Sequence, residues 1–143
     1  SYPPKPTPPC GLQRFSQTTS WAFSKKMETT EELMTFVSGL LRQNHHYFKR
    51  YGPRSEIAAS DPGSSAHAVW TARRLDTLLP NNRAILRALE VNAGLVPREM
   101  AEAVLLFTDH AKGYEQNQYG RLDHYQMFPE EFAQFVEKWA KYE

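Results

Sequence analysis

Residues 96–142 read VPREMAEAVLLFTDHAKGYEQNQYGRLDHYQMFPEEFAQFVEKWAKY, and the spacing within them decides the fold class. Met100, Val104, Phe107, Ala111 and Tyr114 recur in alternating steps of four and three, the repeat of one helical face. Phe132, Phe135, Val136 and Trp139 repeat in the same way. Stripes of this kind bury against other helices, so the spacing predicts helices over 97–117 and 129–142. Pro97 and Pro129 suit the first turns, and Glu99, Glu102, Glu130 and Glu131 follow where the positive end of the helix dipole favours acids. Leu105 and Leu106 flank the main seam of the first of these helices, which predicts that it runs through the middle of a bundle.

Upstream, Thr29-Thr30-Glu31-Glu32 reads as a capping box opening a helix over 29–51. Leu33, Phe36, Val37, Leu40, Leu41, Tyr47, Phe48 and Tyr51 lie on its broad apolar face, and Gly52-Pro53 ends it, the glycine being free to take positive φ. Asp61-Pro62 leads into a helix over 64–79 with Val69, Ala72, Leu75, Leu78 and Leu79 on its buried side. Pro80-Asn81-Asn82 reads as a turn, with Asn82 capping a shorter helix over 83–93 that buries Ile85, Leu86 and Leu89. The fold class is therefore all-α, an irregular bundle of four to five helices in one domain over residues 11–143. Leu40, Leu86, Val104, Phe107, Phe132 and Trp139 are expected to be nearly buried.

Residues 1–10, SYPPKPTPPC, hold five prolines and form a flexible, extended, polyproline-like tail. Pro3-x-x-Pro6 and Pro6-x-x-Pro9 match the PxxP pattern, a weak signal beside the simpler reading as a linker. Residues 11–28 have no regular period, yet Phe15, Trp21, Phe23 and Met27 are too apolar for water and are expected to lie across the helices. The chain starts at Ser1 without Met, so a processed or truncated form is expected. Neither a signal core nor an apolar run of membrane length occurs, which points to the cytoplasm or to the soluble part of a longer anchored protein.

The net charge of +1 conceals a polar division. Residues 1–98 carry 13 Lys/Arg and 7 Asp/Glu, whereas 99–143 carry 4 and 9. Pairing of the two halves within one chain is the simplest consequence, ahead of self-association or an anionic partner.

Chemistry-bearing motifs are sparse. A single cysteine, Cys10, excludes an internal disulfide and a Cys-based zinc cluster. Of the five histidines, His45 and His46 are adjacent and diverge by about 100° on a helix, and no HExxH or Glu-x-x-His spacing exists. Gly63-Ser64-Ser65 lacks the strand–GxSxG–helix setting of a hydrolase, and no glycine-rich phosphate cradle occurs. No catalytic, metal-ligating or cofactor-binding residue is therefore assigned. The connector 114–128 concentrates Tyr, Arg and amides as interface patches do, making Tyr119, Arg121, His124 and Tyr125 the candidate partner-binding residues. The leading functional expectation is a non-enzymatic interaction or regulatory domain that binds a protein partner or a second copy, as in a homodimer. One alternative is a nucleic-acid-associated regulator using Arg73, Arg74, Arg83 and Arg87 on two helices joined by a short turn. Another is an enzyme or ligand binder with a pocket beside 97–117, lined by His110, Tyr114 and Glu115.

Overall fold

The computed structural model describes residues 26–52, 64–116 and 126–140. They are all-α, with no strand among them. Helix α1 spans Thr30–Tyr51 and opens as the capping box requires. The Glu32 amide donates to Thr29 Oγ1 at 3.0 Å, while the Glu32 carboxylate reaches back to the Glu28 amide, also at 3.0 Å, one residue ahead of the cap itself. The same end is tied to residues 92–95: Met27 N–H donates to Asn92 Oδ1 at 2.7 Å, and the Thr30 hydroxyl donates to the Leu95 carbonyl at 2.6 Å. Thr29→Ala is expected to cost about 1 kcal/mol, the usual loss for a threonine cap. A urea titration checks this, and an unmoved midpoint would mean that water takes over from the hydroxyl.

At its other end α1 stops at Gly52, for a different reason from the one the sequence suggests. Gly52 has φ −69°, within reach of any residue. A Cβ built there, however, would lie 2.3 Å from the Phe48 carbonyl oxygen that its own amide bonds at 2.8 Å. Close approach, rather than positive φ, calls for glycine.

Helix α2 (Ser64–Arg73), a π-helical turn (Arg74–Leu78) and α3 (Leu79–Val91) form one unbroken helical run. The expected turn at Pro80-Asn81-Asn82 does not exist, and Asn82 is not a cap. The π turn gives the physical reason. Its Leu79 N–H bonds the Arg74 carbonyl five residues back, widening the backbone directly ahead of Pro80, where the proline ring would otherwise meet the carbonyl four residues earlier. The extra residue in that turn also shifts the helical phase. Val69 and Leu75, expected inside, are 37% and 46% exposed, whereas Trp70, Leu78 and Leu79 are buried.

Asn81 and Asn82 are buried for a tertiary reason. Asn81 Nδ2 donates to Gln43 Oε1 at 2.7 Å and to Asn44 Oδ1 at 2.9 Å, and Asn44 Nδ2 donates to Asn82 Oδ1 at 3.0 Å. An amide ladder thus links α1 to α3, satisfying groups that would be costly to bury alone.

After 3-10 turns at Ala93–Leu95 and Arg98–Met100, α4 runs Ala101–Gln116, and α5 runs Glu130–Trp139 behind Pro129. The core joins Leu33, Met34 and Val37 of α1, Ile85, Ala88 and Leu89 of α3, Ala103, Phe107 and Ala111 of α4 with Met100 ahead of it, and Phe132 and Val136 of α5. Phe107 and Phe132 are fully buried as expected, their rings stacked at 4.5 Å and 13°. Leu40, Leu86, Val104 and Trp139 are half-buried instead, packed around the rim of this core. The central helix is α1, which packs on α2, α3 and α5, while α4 touches α3 and α5. Leu105 is 66% exposed, so the expectation that 97–117 runs through the middle is corrected. One stripe of α4, through Ala103, Phe107 and Ala111, faces inward, and Leu105 lies outside it. None of the described helices is long and apolar enough to cross a membrane.

The charge division is bridged within the chain. Arg83 meets Glu115 through two bonds, at 2.8 and 3.2 Å, and Arg42 meets Glu137 at 3.3 Å, each pair joining the basic part to the acidic part.

Candidate functional site

Three sets of residues bear on function. The first surrounds His110 on α4. A step of four residues brings Tyr114 onto the same face, and the two rings stack at 5.9 Å. Phe107 lies 6.1 Å away, and Phe128, from the segment entering α5, meets the imidazole edge-on at 5.5 Å. His110 Nδ1 sits 3.0 Å from the Gln126 carbonyl, so in the neutral ring Nδ1 carries the proton and donates it there. Glu115 does not join this group. Five residues from His110 it lies about 140° around the helix, where its carboxylate pairs with Arg83. That pairing holds Glu115 below its ordinary range and Arg83 above its own. Of the predicted pocket, the fold brings His110 and Tyr114 together and turns Glu115 toward α3.

Burial pushes the His110 imidazole below its usual range, and the bond to Gln126 opposes that shift in part. The sign follows from linkage. Near pH 7.5 the ring is neutral folded or unfolded. As pH falls through the imidazole range near 6.5, the unfolded chain takes up a proton that the folded state resists, so stability falls until the folded ring also protonates. Wild type is expected to lose more stability between pH 7.5 and 5 than His110→Gln, as read by urea unfolding at several pH values. Parallel losses would show that His110 is not held neutral by the fold.

The second set is the four arginines. Arg73, Arg74, Arg83 and Arg87 stand along one continuous helical run rather than on two helices meeting at a turn, so the helix-turn-helix geometry is absent. Arg73 pairs with Asp76 and Arg87 with Glu90, each three residues on at 3.6 Å, and Arg83 pairs with Glu115.

The third set was assigned by its sequence to the buried face of α1. Buried positions of α1 end at Ser38, and the helix continues for more than three turns beyond it. There Tyr47 and Tyr51 stack at 5.9 Å and 24°, Arg50 lies 5.6 Å over the Tyr51 ring, and His46 meets Tyr47 at 5.4 Å. Phe48 packs at 5.6 Å on the buried Trp70 of α2 and remains 48% exposed. The i, i+4 spacing of the two tyrosines and the lone Trp70 on the next helix were the available signals. What the sequence did not disclose is that the core stops short of them.

Tyr119, Arg121, His124 and Tyr125, the candidate partner-binding residues, lie outside the described residues, as do the Pro-rich segment 1–10, Phe15, Trp21 and Phe23. At the described end of that connector, Met127 is 73% exposed while Phe128 is half-buried against Phe107 and His110. Among the described residues no group of three or more His, Cys, Asp or Glu is placed to hold a metal ion. Comparison of the chain with known protein families, with curated proteins and with solved structures finds no match.

Proposed function

We propose that this chain is a non-enzymatic helical interaction domain that acts by binding a protein partner or a second copy of itself. The observation that carries this reading is the aromatic surface at the C-terminal half of α1. Tyr47, Phe48 and Tyr51 lie within about 100° of one helix circumference, so the three rings are neighbours on one face rather than scattered. Isolated exposed apolar residues are common on protein surfaces, whereas Tyr, Phe and Arg gathered together are the composition that interfaces concentrate. The rings are pre-positioned by stacking and by Trp70 beneath Phe48, so little side-chain freedom would be lost on contact. Lys49 and Arg50, both exposed, supply a basic rim that favours an acidic or neutral partner surface.

Photo-crosslinking in the cells that make the protein tests this directly. A benzophenone amino acid in place of Phe48 is expected to give a discrete intermolecular adduct, whose mass identifies a partner or a second copy. The same residue in place of exposed Glu102 on α4 serves as the control. If position 48 yields no intermolecular adduct, or only the background seen at 102, the reading fails.

A further inference from the structure

We infer that the guanidinium of Arg50, held in place by Tyr51, receives the carboxylate of an acidic side chain, aspartate or glutamate, on a separate partner protein. The inference rests on the reading of this surface as a binding face and names the group it accepts.

Charge on this part of the chain is one-sided. From Leu33 to Gly52 there is no Asp or Glu, while Arg42, His45, His46, Lys49 and Arg50 all fall within the stretch. Arg42 is matched by Glu137 of α5, and Arg73, Arg83 and Arg87 meet Asp76, Glu115 and Glu90. Lys49 and Arg50 are exposed and meet no carboxylate among the described residues. The negative end of the helix dipole favours cations in the last turn, which explains why they are tolerated. It does not occupy their side-chain donors.

Arg50 differs from Lys49 in being held. Its Nε donates to the Tyr51 hydroxyl at 3.3 Å, and the guanidinium lies 5.6 Å from the Tyr51 ring centroid. Tyr51 is fixed in turn by stacking on Tyr47 at 5.9 Å, and His46 meets Tyr47 edge-on at 5.4 Å. The guanidinium is therefore oriented before a ligand arrives, and neither Nη group is bonded among the described residues. Two parallel N–H donors on one edge of a planar cation match the two oxygens of a carboxylate. Little side-chain freedom remains to be lost on contact.

Other anions fit this end less well. Single-stranded nucleic acid is held largely by bases stacked on free ring faces. Here the rings are engaged, Tyr47 and Tyr51 with each other and Phe48 with Trp70 at 5.6 Å. Phosphate-bearing motifs are met by clusters of arginines, whereas one fork stands here beside Lys49. An anionic membrane calls for roughly 4–8 clustered Lys and Arg. A separate partner is favoured over a second copy because Asp76, Glu90, Glu99, Glu115 and Glu137 already meet cations of their own chain.

The test titrates poly-L-glutamate into the purified full chain and follows the Nε–H NMR signals of the arginines. Arg98, exposed and without an ion pair among the described residues, controls for charge alone. Saturable shifts are expected at Arg50 and not at Arg98. Arg50→Lys keeps the charge and removes the fork, and should weaken binding about tenfold, read at the Tyr51 amide. Tyr51→Phe deprives Nε of its acceptor and should weaken it about threefold. Both variants should melt with wild type. Equal shifts at Arg98, or Arg50→Lys titrating as wild type, overturns the proposal. So does tighter binding of oligothymidylate or of phosphatidylserine vesicles than of poly-glutamate at equal charge. In cells, Arg50→Lys should also remove most of the position-48 adduct. An adduct with the mass of two copies overturns the assignment to a separate partner. An adduct to another protein that is undiminished by Arg50→Lys leaves the interaction reading standing and removes this inference. Fork-dependent glutamate binding without any position-48 adduct does the reverse.

Discussion

Phe107→Ala is expected to lower the unfolding free energy by about 3–5 kcal/mol, the range for emptying a packed aromatic site. Phe107 is fully buried, stacks on Phe132 of α5, and meets Phe128 edge-on at 6.3 Å. Truncation therefore removes contacts between α4, α5 and the segment entering α5 at one point. For a chain of this length the melting temperature should fall by roughly 8–15 °C. Phe132→Ala should be comparably severe, and the double variant should cost less than the sum of the two, because each single truncation already removes the ring–ring contact they share. Additive losses would mean that the two rings stabilise the fold independently and that the stack is incidental. A loss below about 1 kcal/mol for Phe107→Ala alone would show that the surrounding helices collapse into the space, which the close packing of protein interiors opposes.

Asn81→Ala is expected to cost about 2–4 kcal/mol, more than most single polar truncations. The substitution removes one amide that donates to both Gln43 Oε1 and Asn44 Oδ1, leaving both acceptors without that donor in a half-buried seam between α1 and α3. A buried acceptor left without a donor costs about 1–3 kcal/mol. The diagnostic is the double variant with Asn44→Ala, which takes away one of the orphaned acceptors. A coupling of about 1 kcal/mol or more between the two sites is expected, because they share one network. Zero coupling by chemical denaturation would mean that water enters the seam and satisfies both sides, and the ladder would then hold no specificity for this packing.

The amide ladder also marks where local reading ends. Pro80-Asn81-Asn82 has every local mark of a turn, since proline and asparagine both favour one. The observed helix depends instead on Gln43 and Asn44, 38 and 37 residues from Asn81, which occupy the polar groups that would otherwise bend the chain. The π turn ahead of Pro80 is of the same kind. It relieves a local clash and, by inserting one residue, trades Val69 and Leu75 for Trp70 on the inner side. The candidate site follows suit. Tyr47, Phe48 and Tyr51 carry the same apolar character as Leu33 and Val37, and periodicity assigns all of them to one face. Only the extent of α5 and α3 against α1 decides that the first group is left at the surface and the second is buried. The His110–Tyr114 pair and the divergence of Glu115, five residues from His110, were both visible in helical spacing, whereas the pairing of Glu115 with Arg83 was not.

The sequence by itself determined the all-α class, the places where helices begin, and the stripe that meets at Phe107 and Phe132. Capping, dipole preference and apolar period act between residues a few positions apart, so they are written into any short stretch. The tertiary structure decided which helix is central, that 64–91 is one run, and which apolar side chains of α1 stand outside the core of the described helices. Those outcomes depend on partners tens of residues distant and on the relative lengths of packed helices, quantities that no local period contains.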